Sequence, residues 1–92
     1  PGFRVTWLRR GQEDVARAFG QAGAGQSERF ATGTWRPAAC GPSLTGALAD
    51  ACCELDQTLD YGTHTLFVAR VVAASANAGD PLVYRDGAYD LA

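Results

Sequence analysis

The sequence predicts a β-rich α+β domain with one main helix near residues 12–22. Three observations carry that expectation. Strand-forming runs occupy residues 3–8 and 64–74, each rich in β-branched and aromatic side chains. An Asp-Gly dipeptide, Asp86-Gly87, stands between two further strand-like runs, the preferred composition for a two-residue hairpin turn. Against these, only the stretch from Gln12 to about Ala22 keeps a clean helical stripe.

Residues 3–8 alternate, with Phe3, Val5 and Trp7 on one face and Arg4 and Thr6 on the other. Arg9-Arg10-Gly11 turns the chain. In the helix, Val15, Ala16, Phe19 and Ala22 share a face, and Glu13 and Asp14 complement the positive end of the helix dipole in the first turn. Gly20 and Gly23 weaken its far end, and Gly23-Ala24-Gly25 makes a flexible exit. Residues 27–45 show no sustained period and hold Gly33, Pro37, Gly41 and Pro42, which predicts a long loop with short turns. Phe30 and Trp35 argue that this loop is ordered.

Residues 46–59 read two ways. Apolar Ala47, Ala49, Ala51, Cys53, Leu55 and Leu59 alternate with polar positions as in a strand, while Leu44, Leu48, Ala51, Cys52, Leu55 and Leu59 form a helical stripe. Periodicity alone leaves both open. Residues 64–74 are apolar on both faces, the pattern of a strand covered on both sides, and 75–80 turn the chain. With Asp86-Gly87 at the hairpin centre, Arg85 faces Ala88 and Tyr84 faces Tyr89 as a cross-strand pair.

Composition excludes several classes of function. A hydrophobic fraction of 47% with 20% charged residues is that of a globular chain. The net charge is −2 and the eight basic residues, all arginine, are scattered, so no cationic face for nucleic acid is evident. No run approaches the roughly 18–20 apolar residues of a membrane span. Three cysteines, two of them adjacent, argue against a disulfide framework and for a reducing cytoplasm. Methionine is absent and Pro1 leads at once into a strand, which predicts that these 92 residues are part of a larger domain.

Candidate chemistry is sparse. His64 is the single histidine and stands at the mouth of the most apolar strand. No G-x-S-x-G elbow accompanies it for a Ser-His-Asp site. Cys40, Cys52, Cys53 and His64 lack the paired spacing by which one turn presents two ligands to zinc, so no metal is expected. Cys53 reads as a small apolar packing residue. Neither G-x-G-x-x-G nor a Walker A loop occurs.

An ordered set of segments nevertheless resembles the FMN-binding split-barrel family, in particular the short flavin reductases of two-component monooxygenases. The opening strand followed by Gln12-Glu13-Asp14-Val15-Ala16-Arg17-Ala18-Phe19 resembles the family's strand and helix. Glu28-Arg29-Phe30-Ala31, with Trp35 following, is similar to its R/K-F segment, and Gly41-Pro42-Ser43-Leu44-Thr45-Gly46-Ala47-Leu48-Ala49 with Cys53 to its G-x-P-x-L-x-x-A-L-A…C stretch. Gly62-Thr63-His64-Thr65-Leu66-Phe67 resembles G-D-H-x-L-F, with Thr63 where the family usually has Asp. Pro81-Leu82-Val83-Tyr84…Tyr89 resembles its P-L-x-Y…Y end.

The resemblance implies Greek-key-like antiparallel strands forming the C-terminal part of a split β-barrel, residues 1–92 being one domain's part. It implies a short helical turn near 42–46 and a strand through Cys53 to about Leu59. The family's N-terminal barrel strands and flavin-phosphate loop have no counterpart here. The implied activity is hydride transfer from NADH or NADPH to FMN or FAD, supplying a partner monooxygenase from a homodimer. His64 would contact nicotinamide or the flavin edge, and Arg29, Phe30, Gly62, Thr63 and Tyr84 would line the cofactor site. The alternatives are a flavin-binding protein without nicotinamide turnover, and a non-enzymatic remnant or assembly module.

Overall fold

The structure is a computed structural model and describes residues 1–23 and 25–90. Ala24 of the expected helix exit and Leu91 at the end of the expected hairpin lie outside the described residues. The elements run β1 (Gly2–Trp7), α1 (Glu13–Gly20), α2 (Gln26–Phe30), β2 (Trp35–Arg36), β3 (Ser43–Leu44), β4 (Ala49–Tyr61), β5 (His64–Ala76), β6 (Val83–Arg85) and β7 (Ala88–Asp90).

The main sheet is antiparallel in the order β1-β4-β5, with β4 in the middle. The strand reading of 46–59 therefore wins over the helical stripe, because β4 pairs on both sides over its first half. Partners across β1 and β4 are Phe3 with Cys53, Val5 with Ala51 and Trp7 with Ala49 on one face, and Arg4 with Cys52 and Thr6 with Asp50 on the other. After Leu55, whose N–H still donates to the Pro1 carbonyl (2.9 Å), β4 pairs only with β5, so residues 56–68 form a two-stranded ribbon. Two irregularities interrupt its register, between Cys52 and Cys53 and between Leu55 and Gln57.

The helices pack on the Arg4, Thr6 and Leu8 side. The core is small: Val15 of α1, Leu44 and Ala47 are buried, with Leu8, Phe19 and Trp35 packed against them. Several backbone bonds gather the chain near this core. Leu48 N–H donates to the Trp7 carbonyl (2.9 Å), Asn77 N–H to Leu48 (2.7 Å) and Leu82 N–H to Leu8 (3.0 Å). Arg9 clasps two turns at once, its guanidinium donating to the carbonyls of Gly46 (3.0 Å) and Ala78 (2.8 Å).

Five expectations need correction. The helix ends at Gly20, short of Ala22, where the glycine terminates it, and a second helix, α2, forms inside the segment read as loop. Five residues are too few to leave a periodic signature, so only packing reveals them. No helical turn forms near 42–46; Ser43 and Leu44 pair with Arg36 and Trp35, and the chain turns at Thr45 and Gly46. The apolar strand β5 is covered on neither face within these residues, with Phe67 64% and Val71 59% exposed. Lastly, Cys40 and Cys52 pair as a disulfide, with Cα atoms 5.9 Å apart. Alternation in β4 turns Cys52 toward the Cys40 segment and buries Cys53 on the opposite face.

The terminal hairpin forms in the expected register, Tyr84 with Tyr89 and Arg85 with Ala88. Asp86 (φ 54°) and Gly87 (φ 80°) both take positive φ, the signature of a type I′ turn. Among the described residues no helix is long and apolar enough to cross a membrane.

Gly33 tests the packing of the core. Its φ is +86°, and an added Cβ would stand 3.0 Å from Leu44 Cδ1 and 3.2 Å from Val15 Cγ2, whereas at Gly11 (φ +101°) nothing lies within 4 Å. Gly11→Ala should cost about 1 kcal/mol from backbone strain alone. Gly33→Ala should cost about 2–3 kcal/mol, because overpacking adds to the same strain. Urea denaturation of the two variants measures the difference.

Candidate functional site

The β4–β5 ribbon ends in a two-residue turn, Gly62-Thr63, closed by the pair Tyr61 with His64. Gly62 has φ +61° and Thr63 is not among the residues of positive φ, the II′ pattern that wants glycine first. Across the turn Thr65 Oγ1 donates to Asp60 Oδ1 at 2.8 Å, so the carboxylate nearest the tip is already engaged. His64 itself is exposed, its imidazole presented at the end of an open apolar ribbon.

Arg29 and Phe30 lie together on α2. Phe30 meets Phe19 edge-on at 5.1 Å and Trp35 at 4.9 Å, and Phe19 and Trp35 close the triangle at 5.4 Å. Trp35 Nε1 donates to the Thr32 carbonyl at 2.8 Å, fixing the indole. The ring of Phe30 is therefore committed to packing α2 against α1 and β2. Arg29 Nη2 donates to the Gln21 carbonyl at 3.2 Å at the exit of α1, while its Nε is buried with no partner among the described residues.

Tyr84 belongs to a third place. It packs edge-on against Tyr89 at 5.0 Å, and the Arg17 guanidinium lies 5.0 Å from the Tyr89 ring centre. That cation–π contact fastens the terminal hairpin to α1. An open cleft runs along Arg17, Tyr84 and Tyr89.

The best-formed cavity, about 520 Å³, opens between β1 and the helices and is mostly apolar, lined among others by Phe3, Arg4, Val15, Phe19, Phe30 and Cys40. Of the residues the sequence singled out for the site, it takes in Phe30 alone. Arg4 stands at its wall, ion-paired to Asp50 (3.0 Å) and donating through Nε to the Gly41 carbonyl (3.2 Å). Sequence reasoning missed Arg4 and Cys40, since their partners are respectively 46 and 12 positions away and no local signal couples them. Among the described residues no group of three or more His, Cys, Asp or Glu gathers as a metal site.

The pattern of the flavin reductase like domain matches residues 2–91. The chain belongs to that family. It is 37% identical over 87 residues to the reductase component of 4-nitrophenol 4-monooxygenase/4-nitrocatechol 2-monooxygenase of Rhodococcus opacus, covering 95% of this chain and 45% of that protein. Against the FMN reductase (NADH) RutF of Pseudomonas syringae it is 37% identical over 82 residues, covering 87% and 46%. Among solved structures, NADH:FAD oxidoreductase SgcE6 of Streptomyces globisporus, in complex with NAD and FAD fragments, superposes with a TM-score of 0.87 at 28% identity, over 98% of this chain and 55% of that one. The flavin reductase of styrene monooxygenase from Pseudomonas putida superposes at 0.80 and 28% identity, over 97% and 56%. The fold is thus part of the antiparallel split barrel of the flavin reductases, and the chain spans about half the length of the curated relatives it matches.

Membership of the flavin reductase like family does not change what Phe30 does here. Phe30→Ala should destabilise the protein by about 2–3 kcal/mol, somewhat less than for a fully buried ring, since Phe30 keeps part of its surface in water. Urea unfolding followed by the fluorescence of the two tryptophans, Trp7 and Trp35, measures it.

Proposed function

We propose that the protein reduces FMN or FAD with NADH or NADPH and supplies the reduced flavin to a separate oxygenase. The observation that carries this reading is the open apolar face of β4 and β5 ending at His64, in a chain whose relatives are reductases of FMN and FAD. β5 is thirteen residues long, an edge strand in its sheet, and exposes Leu66, Phe67, Val68, Val71 and Val72. A long apolar edge is a surface that pairs with more polypeptide. On this reading these 92 residues are the C-terminal part of a larger domain. The remaining strands come from outside them, and a second copy in a homodimer closes the site.

The residues present fit one wall of a flavin site rather than an enclosed slot. Flavin, when bound, supplies the hydride acceptor at N5, and the nicotinamide supplies the hydride. His64 is free to donate or accept a hydrogen bond at the edge of either ring, with Gly62 and Thr63 shaping the turn that presents it. Arg29 places a half-buried guanidinium on α2, a cation suited to an anionic oxygen such as a nucleotide phosphate. Phe30 serves by packing the helix that carries Arg29, and Tyr84 by fastening the hairpin. No strong general base is required for hydride transfer, which agrees with a site built from one histidine and an apolar sheet. A cytoplasmic setting goes with this activity.

Thr63 in the place of the family's Asp favours one second reading, a flavin carrier without nicotinamide turnover. Steady-state loss of nicotinamide absorbance with FMN or FAD, using the natural protein, separates the two. We expect turnover, with His64→Ala lowering kcat/KM about tenfold or more, that is about 1.4 kcal/mol of transition-state stabilisation. The same variant should keep its melting temperature because the side chain is exposed. Quenching of flavin fluorescence without NADH consumption would support the carrier, and no flavin response at all would sink both.

A further inference from the structure

We propose that Cys40 and Cys52 are a peroxide-sensitive thiol pair whose reversible bond clasps the wall of the apolar cavity onto the sheet. The two residues belong to different elements. Cys40 lies in the segment 37–42 that links β2 to β3, and Cys52 lies in β4 on the face toward the helices. Their Cα atoms are 5.9 Å apart, inside the span a disulfide bridges without moving the backbone. Both are half-buried, so a small oxidant reaches them, whereas Cys53 is 5% exposed on the opposite face. Competition from the third thiol is thereby removed by the alternation of β4.

The position of the bond gives it a consequence. Cys40, Gly41 and Pro42 line the 520 Å³ cavity together with Arg4, Phe19 and Trp35. Residues 37–39 of the same segment are exposed and belong to no helix or strand. Besides the sulfur bridge, the hydrogen bond from Arg4 Nε to the Gly41 carbonyl ties this wall to the sheet. Arg4 sits opposite Cys52 in the strand register, so the two ties are neighbours. Oxidised, the pair holds the wall shut at two points; reduced, the segment keeps one hydrogen bond and gains freedom.

The chemistry balances with hydrogen peroxide as oxidant. One thiolate sulfur attacks a peroxide oxygen, the O–O bond breaks, and with a proton water leaves, giving a sulfenic acid. The second thiol attacks that sulfur and expels a second water as the S–S bond forms. Two thiols and one peroxide thus yield one disulfide and two waters, and a dithiol reductant returns both electrons by exchange. Reduced flavin forms peroxide with dioxygen, and only that link to turnover rests on the flavin-reductase reading.

The test uses the reduced natural protein exposed to hydrogen peroxide, alkylated under denaturing conditions and weighed. Of the three cysteines, two should become resistant to alkylation, map to one Cys40–Cys52 cross-linked peptide and return with dithiol. Amides 38–41 should exchange at least about tenfold more slowly in the oxidised protein, a change that Cys40→Ser abolishes. Three alkylatable thiols after peroxide, or oxidation mapped to Cys53, would overturn the redox pair. Equal exchange in oxidised and reduced wild type would overturn the clasp. Neither measurement depends on flavin turnover, so failure here is distinct from failure of the reductase reading.

Discussion

The antiparallel pairing of β1 with β4, from Gly2 opposite Glu54 to Trp7 opposite Ala49, is the constraint on which the rest of this structure depends. It joins segments more than forty residues apart and sorts their side chains into two unlike faces. On one, Arg4 meets Asp50, Cys52 meets Cys40, and the helices settle over Thr6 and Leu8. On the other, Val5 and Trp7 stand exposed beside Ala51 and Cys53. A slip by one residue would exchange these sets, carrying Arg4 to the open face and turning Val5 and Trp7 toward the helices.

Because the pairing stops at Glu54, β4 and β5 continue as a ribbon with no third strand. Its apolar residues therefore remain in water, and no large side chain among the described residues is fully buried. The core of Val15, Leu44 and Ala47 serves the helix side alone. A chain of this size buries a modest share of its surface, and leaving one face of its main sheet open reduces that share further. The ribbon is apolar along its length and ends in a polar imidazole. His64 stands exposed at the tip of this hairpin, apart from the packing of the core.

Much of the fold was legible because it is encoded locally. Asp86-Gly87 specified a type I′ turn through the positive φ both residues tolerate, and that turn set Tyr84 against Tyr89. The stripe through Val15 and Phe19 specified α1 and its buried side. The disulfide, the Arg4–Asp50 pair and the double grip of Arg9 were not legible, since each joins positions whose distance in sequence carries no periodic signal. Within the candidate site, the Gly62-Thr63-His64 group followed from a motif and lands together at a turn. Phe30 also followed from a motif, but its ring is taken up by Phe19 and Trp35, because an aromatic beside two others gains more by packing than by staying open.

The sequence by itself determined the strand character of both ends, the main helix, the final hairpin and the family. These rest on short-range sterics, alternation and ordered motifs. Periodicity left residues 46–59 open between strand and helix. The family resemblance implied a strand through Cys53 to about Leu59, and the tertiary structure bears this out by pairing β4 with β1 and β5. It also showed that nothing among the described residues covers β5, because a run apolar on both faces states a preference for burial and leaves unsaid what will bury it.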